Sequence, residues 1–333
     1  MQTRSQFTHT YKDIISPENF LAAWQEFVRG KRQRRDVQEF ELNLMENTLT
    51  LHRDLAAKAY QHGAYHAFNI SDPKPRNIHK ASVRDRLVHH ALYRTLYPFF
   101  DRTFIADSYS CRLGKGTHRA LDRFRSFARR ASCNHTRTVW VLKCDIKKFF
   151  ASIDQAVLMG IVRRRIPDAD IVWLTSQIVA SFHSSRPGVG LPLGNLTSQL
   201  LVNVYMNEFD QFMKHQLRAR YYLRYADDFV VLSQDKNWLQ GILPHLSFFL
   251  QDSLRLTLHP DKISITTVVS GIDFLGWVHF PEYRVLRTAT KRRMLKRLRQ
   301  QPSKPVLQSY RGLLSHGNSY RLGNEVATLA DFF

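Results

Sequence analysis

The sequence predicts an α+β fold with helices against one face of a sheet, and three observations predict it. Short apolar runs at 139–142, 221–223 and 230–232 read as strands. Helical periodicity fills the interval between the first run and the other two, over 153–165 and about 198–215. The resulting order of strand, helix, helix, hairpin suits helices packed on an antiparallel sheet. Acidic residues mark its corners: Asp145 ends the first run, and Asp227 and Asp228 sit where the other two turn into one another.

From the N-terminus, residues 17–60 alternate helical patterns with a basic knot, RGKRQRRD (29–36). The knot reads equally as a phosphate contact or as a solvated helix end. DPKPRNIHKASVRDRLVHHAL then opens on a proline-punctuated turn and continues as a helix, with Leu87, Val88, Ala91, Leu92 and Leu96 at helical spacing. Lys74, Arg76, Lys80, Arg84 and Arg86 crowd its start, a density that favours an anion over a merely solvated face. His89 and His90 fall inside this helical pattern and read as a packing and surface pair, not as metal ligands. YSCRLGKGTHRALDRF (109–124) is a glycine-punctuated turn leading into a helix, and it lacks the G-x-x-x-x-G-K-[ST] spacing of a nucleotide-binding loop. After FLGW (274–277) the composition shifts. Residues 287–300 carry seven basic and no acidic side chains, with Met294 and Leu298 as a narrow apolar stripe. That helix lacks the bulky anchors of a membrane-surface helix, so contact with phosphates is the better reading.

The 333 residues, 44% of them hydrophobic, are enough for a large folded core. No apolar run approaches the ~20 residues that cross a bilayer, and the first residues lack the apolar segment of a secretory signal. Forty-nine Lys and Arg against 28 Asp and Glu leave a formal charge of +21, which should attract a polyanion. Nucleic acid is the first candidate and an anionic membrane the second. Cys111, Cys133 and Cys144 form no CxxC pair and no zinc spacing, and no HExxH is present; the cysteine usage suits a reducing cytoplasm.

If the strands that carry Asp145 and Asp227–Asp228 are neighbours, three carboxylates meet at one edge. Such a cluster cannot stay fully ionised cheaply without cations. Two Mg²⁺ ions would neutralise it and clamp an in-line phosphoryl displacement, with Mn²⁺ able to substitute. Magnesium takes one or two protein carboxylates plus substrate phosphates, which matches so sparse a donor set. A salt-bridged pair at a hairpin tip would account for Asp227 and Asp228 alone, but not for Asp145 and the basic excess as well.

Tyr225-Ala226-Asp227-Asp228 resembles the Y-x-D-D motif of reverse transcriptases, and KCDIKKFFASI resembles their other aspartate-bearing palm motif. The resemblance runs in order from about Gly30 to Tyr320. It takes in the fingers motif at DPKPRNIHKASVRDRLVHHAL, the segment YSCRLGKGTHRAL, the nucleotide-contacting motif GLPLGNLTSQLLVNVYMNEFD, and the closing palm motifs LTLHPDKISI and FLGW. It implies a right-hand polymerase fold, with an N-terminal region and fingers at 1–136. A palm would follow at 137–278, interrupted by a fingers insertion near 166–186, and a small helical thumb at 279–333.

The resemblance also implies roles. Asp145 and Asp227 would bind the two metals, with Ile146 in the metal set and Asp228 completing the carboxylate cluster. Lys262 would protonate departing pyrophosphate. Lys74 and Arg76 would grip the triphosphate, Phe150 would exclude a ribose 2′-OH, and Leu193, Gly194 and Gln199 would line the nucleotide site. Phe274, Leu275 and Gly276 would support the primer end, and Arg292, Arg293 and Arg297 would meet template–primer phosphates. One motif departs from the common Q-G-x-x-x-S-P pattern: Leu193 stands in place of Gln, and Gln199 in place of Pro. That variant, with SYRGLLSHGNSYRL (309–322), resembles the enzymes of diversity-generating retroelements and is shared by related antiphage defence proteins. Losing a side-chain amide beside the nucleotide suggests low fidelity.

The implied partners are an RNA template, its cDNA product and dNTPs. A structured non-coding RNA and a small basic accessory protein would join them in the diversity-generating setting, and no membrane is involved. The expected location is the cytoplasm of a bacterium, for a bacterial or phage-encoded protein. The expectation from the length after Trp277 is a small thumb, without an RNase H domain, a maturase extension or an endonuclease. Two other readings compete. A non-catalytic nucleic-acid-binding protein on a decayed polymerase fold would be expected to have lost the aspartates, and an RNA-synthesising polymerase would not be expected to carry Phe150.

Overall fold

The computed structural model describes residues 6–71, 75–300 and 303–330. Helices α1 (Tyr11–Ile15), α2 (Pro17–Phe27), α3 (Arg35–Leu42) and α4 (Leu44–Ala56) come first, then a hairpin of β1 (His66–Ile70) and β2 (Arg76–Lys80). Helices α5 (Val83–Asp101) and α6 (Thr117–Ala131) lead to strand β3 (Trp140–Asp145). The helices α7 (Phe149–Ser152), α8 (Gln155–Arg165), α9 (Ala169–Ala180) and α10 (Leu196–Gln211) follow, and a π-helical turn extends the last of them. A second hairpin, β4 (Tyr221–Tyr225) and β5 (Asp228–Ser233), precedes α11 (Lys236–Leu254) and β6 (Ser264–Thr267). Three short strands, β7 (Ile272–Phe274), β8 (Trp277–His279) and β9 (Arg284–Leu286), come before α12 (Thr288–Gln300), α13 (Lys304–Leu314) and α14 (Tyr320–Ala330).

The chain forms two compact units. The first comprises residues 1–106, 146–216 and 247–257. Its centre is α10, whose Leu200, Leu201, Val204, Tyr205, Met206 and Phe209 are buried around most of the helix circumference, as expected for an element enclosed by others. Helix α5 packs on both α2 and α10, burying Leu87, Val88, Ala91, Leu92 and Leu96, the periodic set read from the sequence. Side chains close the helix starts: Ser82 accepts from Asp85 N at α5, Asp154 from Val157 N at α8, and Asp168 from Ile171 N at α9. Each cap satisfies a backbone donor that the helix itself cannot.

The second unit comprises residues 107–145, 217–246 and 258–333. Its four-stranded sheet has the order β4-β5-β3-β6, antiparallel throughout. Inward residues of β3, β4 and β5 (Val141, Leu223, Val230) share one core with Leu121, Phe124 and Phe127 of α6 and with Phe274 and Trp277. The small sheet β7-β8-β9 is also antiparallel. Met294 and Leu298, the stripe on α12, are buried in a separate cluster with Leu314, Leu322 and Val326. The molecule is α+β, and β3, β4 and β5 lie where the apolar runs put them, whereas β6 (Ser264–Thr267) was not read as a strand. The sequence reading did not resolve the β1–β2 hairpin, which it took for part of a turn, nor the three-residue strands, nor α11.

Candidate active site

The register of the central sheet assembles the site. Strand β3 ends on Asp145, and its antiparallel partner β5 begins on Asp228, so the two residues face each other as a cross-strand pair. Tyr225 pairs with Asp228 across β4 and β5, which leaves Ala226 and Asp227 as the two-residue turn. Ala226 has φ of 55°, the left-handed conformation such turns require. Arg224, 1% exposed, donates from Nη1 to the Ala226 carbonyl at 3.0 Å and so braces the turn from inside. The ring of Tyr225 is tied down too, its hydroxyl accepting from Thr117 Oγ1 at 3.0 Å. Thr117 closes the Gly-Lys-Gly-Thr stretch, which therefore supports this hairpin.

Two lysines answer the carboxylates. Lys262, on the turn Pro260–Lys262, donates from Nζ to Asp145 Oδ1 at 2.8 Å. That hydrogen bond, reinforced by the charges of Asp145, Asp228 and Asp227, raises the Lys262 pKa. The backbone holds the same corner, with His259 N donating to the Asp145 carbonyl at 2.8 Å. Lys143 donates from Nζ to the Asp273 carbonyl at 2.6 Å, and its charge partly offsets the pressure on Asp228. Burial is the largest cause of that pressure, followed by Asp227, and then by the charge and hydrogen bond of Asp145; together they push the Asp228 carboxyl up to about 6. A carboxyl raised by burial and by neighbouring carboxylates marks a candidate functional site.

Among the described residues, no three side chains of His, Cys, Asp or Glu come together as a preformed metal cage. The donors here are carboxylates at one sheet edge, and Ile146, the residue after Asp145, is a buried aliphatic whose side chain carries no donor. This set is too sparse for a structural metal. It fits a divalent cation that takes its remaining oxygens from a phosphorylated substrate.

The other predicted residues lie as follows. Phe150 sits half-buried on α7, its carbonyl accepting from Leu191 N at 2.8 Å. Leu193 is half-buried, and its carbonyl accepts from His79 N at 3.1 Å. Gly194 has φ of +106°, and a Cβ there would meet Ile78 Cγ2 at 3.0 Å, so a side chain would meet both backbone strain and crowding. Gly194 and Gln199 line a cavity of ≈ 360 Å³ in the first unit, together with Lys31, Arg34, Lys80 and Arg86. Arg76 is exposed at the start of β2, and Lys74 lies outside the described residues. Phe274 is fully buried beside Phe124, while Leu275 (φ 50°) and Gly276 (φ 87°) form the turn between β7 and β8. Arg292, Arg293 and Arg297 are exposed on α12, opposite its buried stripe.

The structure thus brings together Asp145, Asp228 and Lys262, with Asp227 in the adjoining turn, all within the second unit. Phe150, Leu193, Gly194 and Gln199 belong to the first. Sequence reasoning missed Lys143 and Arg224, which occupy ordinary strand positions. It also left undecided the basic knot, two of whose members, Lys31 and Arg34, line the cavity.

Residues 71–279 match the family described as reverse transcriptase (RNA-dependent DNA polymerase). Protein YkfC of Escherichia coli (strain K12) is 30% identical over 62% of this chain and 63% of its own length. The group II intron-encoded protein LtrA of Lactococcus lactis subsp. cremoris is 20% identical over 86% of this chain and 58% of its own. The chain therefore spans about three fifths of the length of these curated relatives. Among solved structures, telomerase from Candida albicans in complex with a fragment of telomeric RNA superposes with a TM-score of 0.52 at 11% identity, over 70% of this chain and 48% of that one. Apo telomerase from Candida tropicalis gives 0.52 at 12% identity, over 69% and 55%. These two likenesses concern the fold, which is that of right-hand polymerases. With the match spanning most of the chain and every aspartate of the cluster inside it, the chain belongs to the reverse transcriptase family.

Proposed function

We propose that this chain is an RNA-directed DNA polymerase that copies an RNA template into cDNA from dNTPs. The observation that carries the reading is the pairing of Asp145 with Asp228 across β3 and β5, with Asp227 in the turn and the Asp228 carboxyl pushed up to about 6. Asp145, Asp227 and the Ile146 carbonyl would hold two divalent cations, Mg²⁺ or Mn²⁺, which would neutralise the oxygens of the transferring phosphoryl group. Lys262 keeps its ammonium proton at Nζ because Asp145 accepts from it, and that proton is available to the leaving pyrophosphate. Phe150 would exclude the ribose 2′-OH, and Lys74 and Arg76 the triphosphate's escape. Leu275 and Gly276, backed by Phe274, would seat the primer end. In this reading 1–136 holds the fingers, 137–278 the palm with its insertion near 166–186, and 279–333 the thumb.

Within this activity we favour error-prone copying in a diversity-generating retroelement over an antiphage defence role. The support is the Leu193-Gly194-Asn195-Leu196-Thr197-Ser198-Gln199 string, which lacks an amide at its first position. A structured RNA and a small basic accessory protein would complete that system. The bacterial cytoplasm is the proposed location. Among the described residues no helix is long and apolar enough to cross a membrane.

The test is Asp227→Asn in primer extension on an RNA template with Mg²⁺. Extension should fall by about a thousandfold or more, the scale of losing several kcal/mol of charge stabilisation. Binding of the template–primer should stay within about twofold, because basic surfaces and not the carboxylate hold phosphate. An Asn variant that extends at the wild-type rate ends the two-metal assignment.

A further inference from the structure

The first unit contains a buried polar chain that none of the roles above uses. Asp85 is its anchor, accepting from Tyr60 Oη at 2.9 Å, Gly63 N at 3.1 Å and Ser82 Oγ at 2.7 Å. The side chains of Asp85 and His62 are each 2% exposed. His62 Nδ1 lies 2.7 Å from the Gly63 carbonyl, and its Nε2 lies 3.1 Å from Nε2 of His89. His89 Nδ1 in turn lies 3.2 Å from Thr197 Oγ1. Tyr65 Oη, 3.3 Å from His62 Nε2, has Ser181 Oγ at 2.8 Å as its other partner.

With both rings neutral, the contacts admit one order of protons through His62 and His89. A carbonyl only accepts, so His62 carries its proton on Nδ1 and presents a lone pair at Nε2. His89 must then donate from Nε2, which leaves Nδ1 as an acceptor, and the Thr197 hydroxyl donates to it. Burial lowers the His89 pKa to about 3, so the ring stays neutral and the order persists at working pH. Thr197 lies in the first turn of α10, whose Asn195 donates from Nδ2 to the His79 carbonyl at 3.1 Å. The same stretch supplies Gly194 and Gln199 to the cavity of ≈ 360 Å³. Four cations line that cavity, and Asp36 pairs with two of them, Lys80 at 2.7 Å and Arg86 at 2.5 Å. Its charge suits phosphate.

We propose that His89 is a positioning residue: by accepting from Thr197 it sets the first turn of α10, and with it the wall of a cavity that receives a phosphate-bearing ligand. The phosphate belongs either to a free nucleotide or to a nucleic-acid backbone. The proposal rests on the polymerase reading for its ligand, and of the two arms of its test only the Kd is independent of that reading.

Two isosteric variants separate the two bonds of the ring. His89→Asn places a carboxamide oxygen where Nδ1 was and can keep the Thr197 bond. His89→Gln places an amide nitrogen where Nε2 was and keeps only the bond to His62. His89→Asn leaves His62 Nε2 with Tyr65 Oη alone as a partner, and His89→Gln removes the His89 partner of Thr197, so the melting temperature of each variant is measured beside its constants. Two constants are read for each: the KM for dTTP in primer extension, and the Kd of a labelled RNA–DNA template–primer by filter binding. His89→Gln and Thr197→Val should each raise one of these by about threefold to tenfold, the worth of one hydrogen bond, and leave kcat within about twofold. Whichever constant moves identifies the source of the phosphate. His89→Asn and Thr197→Ser should stay near wild type, and the double variant His89→Gln/Thr197→Val should be no worse than either single one. The proposal is overturned if His89→Asn moves as far as His89→Gln, if the two losses multiply in the double variant, or if neither constant moves. A wild-type protein that extends no primer refutes the polymerase reading instead, and the same cycle is then read from Kd alone.

Discussion

At the scale of single residues, Phe150 and Leu193 carry the most specific expectations. Phe150 is half-buried on α7, so its ring has an open side. If that side faces the sugar of the incoming nucleotide, Phe150→Ala should lower the ratio of kcat/KM for dNTP over rNTP by tenfold or more, on the order of the 1–3 kcal/mol a pocket gains from steric exclusion. An unaltered ratio would make the ring ordinary core. Leu193 is also half-buried, and its backbone is fixed by His79, so Gln there need not bury its amide. Leu193→Gln should reduce misincorporation by about threefold to tenfold, one hydrogen bond's worth of discrimination. Sequencing cDNA from both proteins on one RNA template checks this; equal error spectra with lower yield would mean that Leu193 only packs. The three aspartates were legible in the sequence because each interrupts or ends an apolar run, where a carboxylate has no structural purpose. Lys143 and Arg224 were not, since a polar residue within a strand looks like a solvated position until the register shows what lies beside it. The cavity cations were legible only in part: Lys80 and Arg86 belong to the basic cluster that the sequence already assigned to an anion, whereas Lys31 and Arg34 come from a separate segment, and only folding brings the two pairs to one cavity.

At the scale of elements, α12 is the clearest case of a helix with two purposes. Met294 and Leu298 bury one side against Leu314, Leu322 and Val326, which leaves Arg292, Arg293 and Arg297 on the exposed side. Replacing the three arginines by Gln should weaken template–primer binding for every sequence and reduce the slope of log Kd against log salt by about two to three, the counterions released at three phosphates. An unchanged slope would assign that face to a protein partner. The same physics explains which elements could be read. Strands β3, β4 and β5 are buried on the core side and announce themselves as apolar runs. The β1–β2 hairpin is exposed along most of its length and has no alternation to detect. Strands β7, β8 and β9 have three residues each, below any periodicity. Helix α11 contains Pro244, which reads as a breaker. In the fold Pro244 falls on the exposed side, with Ile242, Leu246 and Leu250 buried on the other, so water can satisfy the carbonyl it leaves without a donor.

At the scale of the whole molecule, the charge of +21, two buried histidines and a half-buried third make stability depend on pH. Burial lowers the pKa of His89 to about 3, of His90 to about 4 and of His279 to about 3, with nearby cations adding to the effect. An unfolded histidine titrates near 6.5. Below that pH the unfolded chain binds protons that the folded chain refuses, so the stability these groups contribute is present above 6.5 and is lost as the pH falls. Asp228 acts in the opposite sense: its folded pKa of about 6 exceeds the ordinary 3.8, so it costs stability as the pH rises between those values. Between pH 6 and 4 these four groups alone make the unfolded state bind about two more protons than the folded one, three at the histidines against one that the folded carboxyl keeps. Each is worth about 1.4 kcal/mol per pH unit, so stability should fall by about 3 kcal/mol for every unit of acidification. Urea unfolding of the metal-free protein at pH 6, 5 and 4 measures this directly. The variant His279→Phe supplies the control. His279 is buried with no hydrogen-bond partner for its Nε2, so an apolar ring of similar size removes one titrating group without breaking a bond at that atom. Its slope should drop by about 1.4 kcal/mol per pH unit, because one titrating ring disappears. A slope that His279→Phe leaves intact would show that acid acts through self-repulsion of the basic surface and not through these buried rings.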